Sequence, residues 1–195
     1  MEAEINQVAK ALAQANDAKA EGNQLFVAGQ FEDALSKYEL ALYFAQEMPS
    51  SAELRSICHS NRAVCFSKQG KYEEAIKEGT KALDLNTKNL KALIRRGEAH
   101  EKLKHFDESI SDMKRILELD PSNSQAREAI QRLESLASQK QEKIKEEFIA
   151  NVMVLIHLSA IYFPSELVDM GNSLFGMPRG VPLLISFFFR AGTHF

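Results

Sequence analysis

The chain has 195 residues, with 24 Lys and Arg against 27 Asp and Glu and a formal net charge of -3. Two basic and two acidic side chains lie beyond Glu147, so residues 1 to 147 carry 22 basic and 25 acidic groups. That balance, with no basic tract interleaved with aromatics, argues against nucleic acid as a partner and leaves only local attraction for an acidic ligand.

The opening MEAEINQVAKALAQ is acidic, with no basic stretch followed by an apolar one, so it does not read as a secretory signal and a cytoplasmic location is expected, with a nuclear one open. Within it Ile5, Val8 and Leu12 form a short apolar stripe, which predicts a helical extension over 1–14 that either prolongs the next helix or frays. In the first unit, about 15–48, Leu25, Phe26, Phe31, Ala34, Leu35, Tyr38, Ala41 and Leu42 recur at three- and four-residue spacings on either side of Gly29. Two amphipathic helices joined by a tight glycine turn are predicted. Seven further residues, Pro49 to Arg55, interrupt the stride, and Ser50 with Glu53 has capping-box spacing, so the next helix is expected to start near Ser51.

A second unit, about 56–89, repeats the pattern with Ala63, Phe66, Gly70, Tyr72, Ala75, Ala82 and Leu83. A third, about 90–123, repeats it with Gly97, Phe106, Ser109, Ile116, Leu117 and Pro121. Small residues recur where helices must approach closely: Gly22, Ala63 and Gly97 on the first helix of each unit, Ala34, Ala75 and Ser109 on the second. Cys58 and Cys65 are two helical turns apart, roughly 10 Å by rise, beyond disulfide reach; they read as small apolar groups in a reducing compartment. From Ser122 a polar helix over 122–147 is expected, opened by a Ser122 and Gln125 capping box. Its stripe of Ala126, Ile130, Leu133 and Ala137 would cover the last repeat.

A 34-residue stride of paired amphipathic helices marks stacked hairpins with a concave binding face. Residues 15 to 123 resemble the tetratricopeptide repeat, whose signature has small residues at the two close-approach places, an aromatic after the turn and a proline at the end. The departures are Lys104 for the turn glycine of the third unit, and Gly79 for the second-helix aromatic and Thr87 for the terminal proline of the second. The resemblance implies an all-α fold, three tandem helical hairpins in an α-solenoid plus a C-terminal capping helix.

Lys19 and Asn23 are four residues apart, as are Lys91 and Arg95, so each pair shares a helix face, and Asn61 lies on the corresponding helix between them. Three cations and two amides, all donors, suit a carboxylate, which accepts up to four hydrogen bonds. The set matches, residue by residue, the two-carboxylate clamp of chaperone-binding tetratricopeptide domains. The resemblance implies a ligand: the C-terminus of 70 and 90 kDa heat-shock chaperones, ending Glu-Glu-Val-Asp. It assigns Lys19, Asn23 and Asn61 to the main-chain carboxylate, and Lys91 with Arg95 to the Asp side chain and nearby peptide groups. A co-chaperone adaptor is therefore expected, against the alternative of a general peptide scaffold in which the five residues coincide by chance.

No catalytic apparatus is expected. The five histidines are scattered, His100 and His105 are five apart and so not on one helix face, and there is no zinc-protease helix, Cys-x-x-Cys pair, phosphate loop or nucleophile elbow. No metal or other cofactor is implied, and the 48 residues after Glu147 are too few for a catalytic domain of the kind fused to other such repeats. Over 148–195 the composition changes: Phe148 to Phe163 carries no formal charge but is shorter than the roughly 20 residues a bilayer needs. A second apolar run starts at Val181, and LVDMGNSLFG from Leu167 looks displaced by an insertion. A membrane anchor, a helix folded back on the repeats and a tail without evolved structure are the three readings of this segment, the anchor not favoured; the oligomeric state is not legible.

Overall fold

Every predicted hairpin forms. In the computed structural model the described residues are 2–46 and 49–162, and among them all regular structure is helical. The order is α1 (Glu2–Val27), α2 (Phe31–Phe44), a 3-10 turn (Pro49–Ser51), α3 (Ala52–Lys68), α4 (Tyr72–Leu85), α5 (Leu90–Lys102), α6 (Phe106–Leu119) and α7 (Ser124–Tyr162). Consecutive helices pair as α1 with α2, α3 with α4 and α5 with α6, while α2 to α3 and α4 to α5 contacts stack one hairpin on the next. The chain divides after Ala137 into two units.

The turns explain the glycine pattern. Gly29 and Gly70 have φ of 78° and 75°, a left-handed conformation that a side chain disfavours, and the third turn forces Lys104 to φ 60°. The small residues sit where helices touch: Ala34, Ala63 and Ala75 are fully buried, and Ser109 Oγ donates to the Gly97 carbonyl at 2.8 Å. A Cβ on Gly22 would lie 2.7 Å from the Tyr38 ring, and one on Gly97 would lie 2.5 Å from Met113 Cε. Gly79, in place of the expected aromatic, makes room in the same way for Arg96, whose Cβ would be 3.0 Å from an added Cβ.

Two apolar clusters fill the first hairpin and its junction with the second: Ala34, Leu35, Tyr38 and Cys65 with Phe26, Phe31 and Phe66, and Ala15, Ala18, Ala41, Ala45, Leu54 and Cys58 with Leu12. A third, around Leu93, Ile116 and Leu133, joins α5 and α6 to the start of α7. Each of these three is 1% exposed or less and contributes about 1.5 to 3 kcal/mol by leaving water. Cys58 and Cys65 are free and buried, and burial pushes both thiols up to about 11, so neither is a ready nucleophile.

The N-terminal extension is continuous with α1; Leu12 packs against the core while Val8 is exposed. Neither predicted capping box forms. Glu53 instead accepts a hydrogen bond from Asn86 Nδ2 at 2.6 Å, and Ser51, the residue before α3, turns its hydroxyl to the Ala45 carbonyl. At α7 the cap is Asn123, whose Oδ1 accepts from Ala126 N at 2.9 Å, while the Ser122 hydroxyl bonds Asp120.

The helix expected to end at Glu147 instead runs to Tyr162, so residues 148–162 of the apolar segment are helical. In the second unit, Phe148, Ile149, Met153, Val154, Leu155 and Leu158 are exposed. No helix among the described residues is long and apolar enough to cross a membrane. Phe163, the LVDMGNSLFG segment and the apolar run from Val181 lie outside the described residues.

Candidate functional site

The first helices of the three hairpins, α1, α3 and α5, line one open groove of about 730 Å³. Lys19 and Asn23 of α1, Asn61 of α3, and Lys91 and Arg95 of α5 all border it, so all five residues singled out in the sequence are brought together. Lys68 adds a fourth cation, and Phe26, Val27, Tyr38, Ile57, Ser60 and Val64 also line it; among the described residues the lining contains no carboxylate. Such a surface concentrates anions locally although the chain as a whole is slightly acidic.

Asn23, Asn61 and Arg95 each adjoin a residue that locks the back of its helix. On α1, Gly22 lets the Tyr38 ring of α2 close against the backbone. The Tyr38 hydroxyl then reaches the next residue, donating to Asn23 Oδ1 at 2.9 Å, and Asn61 Nδ2 donates to the same oxygen at 3.0 Å. With its oxygen doubly engaged, the Asn23 amide has a fixed orientation and its NH2 is left as a donor. Burial pushes the Tyr38 hydroxyl up to about 12, so it stays a neutral donor.

On α3, Asn61 lies between two residues that face α4. His59 Nδ1 is 2.8 Å and Arg62 Nε 2.9 Å from Glu78 Oε2, and Lys81 Nζ donates to Glu78 Oε1 at 2.8 Å. Burial alone would raise the Glu78 pKa, but the hydrogen bonds from His59 and Lys81 with the Arg62 charge outweigh it and hold the carboxyl at about 2. Glu78 is 5% exposed, so this is an anion sealed between helices and kept there by its partners.

On α5, Arg96 points away from Arg95 and forms a bidentate pair with buried Asp112 at 2.6 and 3.0 Å, with a third bond to Thr80 at 3.1 Å. The first turn of the helix is held by Asn89, whose Oδ1 caps Ala92 N at 3.1 Å while its Nδ2 donates to Ser56 on α3 at 2.9 Å. Ser56 in turn donates to the Ala82 carbonyl at the end of α4, so Lys91 is tied in register to the helix that carries Asn61. Lys19 donates to Asn16 Oδ1 at 3.0 Å, and Arg95 donates to Glu98 at 2.9 Å.

Lys68 lies two turns after Asn61 on the same helix face, a spacing that marks it as a further groove cation. Tyr38, Asn89 and Ser56 carried no comparable signal, because their contacts span 15 to 33 residues. The two histidines expected to lie apart do meet: the Lys104 turn folds His105 back and its ring centroid stands 5.8 Å from that of His100. They remain a pair, and among the described residues no three His, Cys, Asp or Glu side chains gather as a metal site would need.

A sequence profile described as tetratricopeptide repeat matches residues 66–133. Sperm-associated antigen 1A of Danio rerio is 39% identical over 116 residues, which are 59% of this chain and 27% of that protein. The second such domain of Spaghetti (RPAP3), solved bound to the HSP90 peptide SRMEEVD, is 32% identical with a TM-score of 0.52, covering 62% of this chain and all of that one. The second such domain of human RPAP3, solved in complex with the HSP70 peptide SGPTIEEVD, is 29% identical with a TM-score of 0.55 over 65% of this chain and 98% of that one. The chain spans only 12 to 27% of the length of the curated relatives it matches first.

Proposed function

Since the chain belongs to the tetratricopeptide repeat family, we propose that its groove captures the free C-terminus of a heat-shock chaperone ending Glu-Glu-Val-Asp. Lys19, Asn23 and Asn61 hold the main-chain carboxylate, and Lys91 with Arg95 holds the terminal Asp side chain and the adjoining peptide groups. The chain is then a non-enzymatic co-chaperone adaptor. The observation that carries the reading is the convergence of these five donors on one groove without a carboxylate in its lining. Two features support it further. The Asn23 amide is pre-set by Tyr38 and Asn61 with its NH2 left to donate, and related domains were solved with acidic chaperone tails bound.

Lys91 and Arg95 are surface cations whose loss costs the fold little, whereas a hydrogen bond to a charged group is worth about 1.5 to 3 kcal/mol. Replacing both with Ala therefore weakens binding of a Glu-Glu-Val-Asp peptide by about a hundredfold or more and leaves the helical circular dichroism unchanged. Equal affinity in the double variant would overturn the assignment.

A further inference from the structure

The groove lining holds no carboxylate, yet one stands at its margin in contact with a binding residue. Glu98 lies three residues beyond Arg95 on α5, and its Oε2 accepts a hydrogen bond from Arg95 Nη1 at 2.9 Å. The two side chains are 41% and 50% exposed, so the pair opens and closes in water at small cost. A guanidinium binds a carboxylate best through two parallel N–H bonds, and in the empty groove one arm of Arg95 is already taken. The neighbouring cation on the same helix differs: three and four residues beyond Lys91 stand Ile94 and Arg95, not an acid.

We propose that Glu98 is an internal competitor of the groove. It occupies Arg95 in the absence of ligand and must be displaced before Arg95 can grip a ligand carboxylate. Glu98 thereby holds capture of an acidic tail weaker, and release faster, than the groove cations alone would give. This inference rests on the carboxylate-binding function proposed above and assigns its strength to a residue outside the five.

The test is fluorescence polarisation of a labelled peptide ending Glu-Glu-Val-Asp with a free carboxylate, titrated with the full chain, Glu98→Gln and Glu98→Ala, each also made in an Arg95→Ala background. Both single variants should bind about two- to fivefold more tightly, the range expected for releasing an exposed ion pair. The gain should vanish when Arg95 is absent. Unchanged or weaker binding by both Glu98 variants would overturn the competitor role while leaving the groove's function standing. A gain of the same size in the Arg95→Ala background would also overturn it, because the effect would then be one of general charge. Failure of the parent chain to bind the peptide would instead strike the function on which the inference rests.

Discussion

Glu78 offers the sharpest link between buried charge and the position of a groove residue, because its partners His59 and Arg62 flank Asn61 on α3. Replacing it with Gln keeps the volume and removes the charge, leaving Arg62 without its buried counter-ion. The carboxyl is held at about 2 against an ordinary 4.5, which corresponds to about 3 kcal/mol at neutral pH. The sign follows from the direction: a depressed carboxyl stabilises the fold fully above about pH 4.5 and loses that contribution as pH falls towards 2. By pH 3 less than half of it should remain. Urea denaturation of both proteins, followed at 222 nm, gives the difference at pH 7 and at pH 3; other carboxyls titrate in both and largely cancel. A cost below about 1 kcal/mol at pH 7, or a difference that does not shrink by pH 3, would refute the reasoning.

Three other outcomes follow from the packing and the charges. Gly22→Ala drives a Cβ into the Tyr38 ring at 2.7 Å, so it should cost about 1 to 3 kcal/mol and also weaken peptide binding by displacing the hydroxyl from Asn23; a variant as stable as the parent would count against this. Lys104→Gly relieves the left-handed strain at φ 60° and should stabilise the fold by about 0.5 to 1 kcal/mol net of the added chain entropy, whereas Gly70→Ala should destabilise by a similar amount; opposite shifts in melting temperature check both. Peptide affinity should fall steadily as salt rises from 0.05 to 0.5 M, since the groove contacts are charge-assisted and partly exposed, and a salt-independent affinity measured by calorimetry would contradict a charged site.

Much of this architecture is legible in the sequence. The hairpins followed from apolar spacing around Gly29 and Gly70, and Lys19, Asn23, Asn61, Lys91 and Arg95 were placed on one side because helical period and repeat register together set which way a side chain faces. What escaped were contacts decided by partners distant in sequence. Glu53 and Ser122 have capping spacing, but Asn86 and Asp120 offer them other hydrogen bonds. Gly79 reads from sequence only as a departure from the expected aromatic, and the course of α5 reveals that it admits Arg96. The end of α7 is not legible because a change from polar to apolar residues alters what a helix can pack against without breaking its backbone.

The claim that the groove recognises a chain terminus is tested most directly by titrating the full chain with two versions of one acidic peptide ending Glu-Glu-Val-Asp. One version has a free C-terminal carboxylate and the other a C-terminal amide. The amide removes the group assigned to Lys19, Asn23 and Asn61 and leaves every side chain in place, so binding should be lost or fall by about a hundredfold or more. Equal affinity for the two peptides would contradict the account.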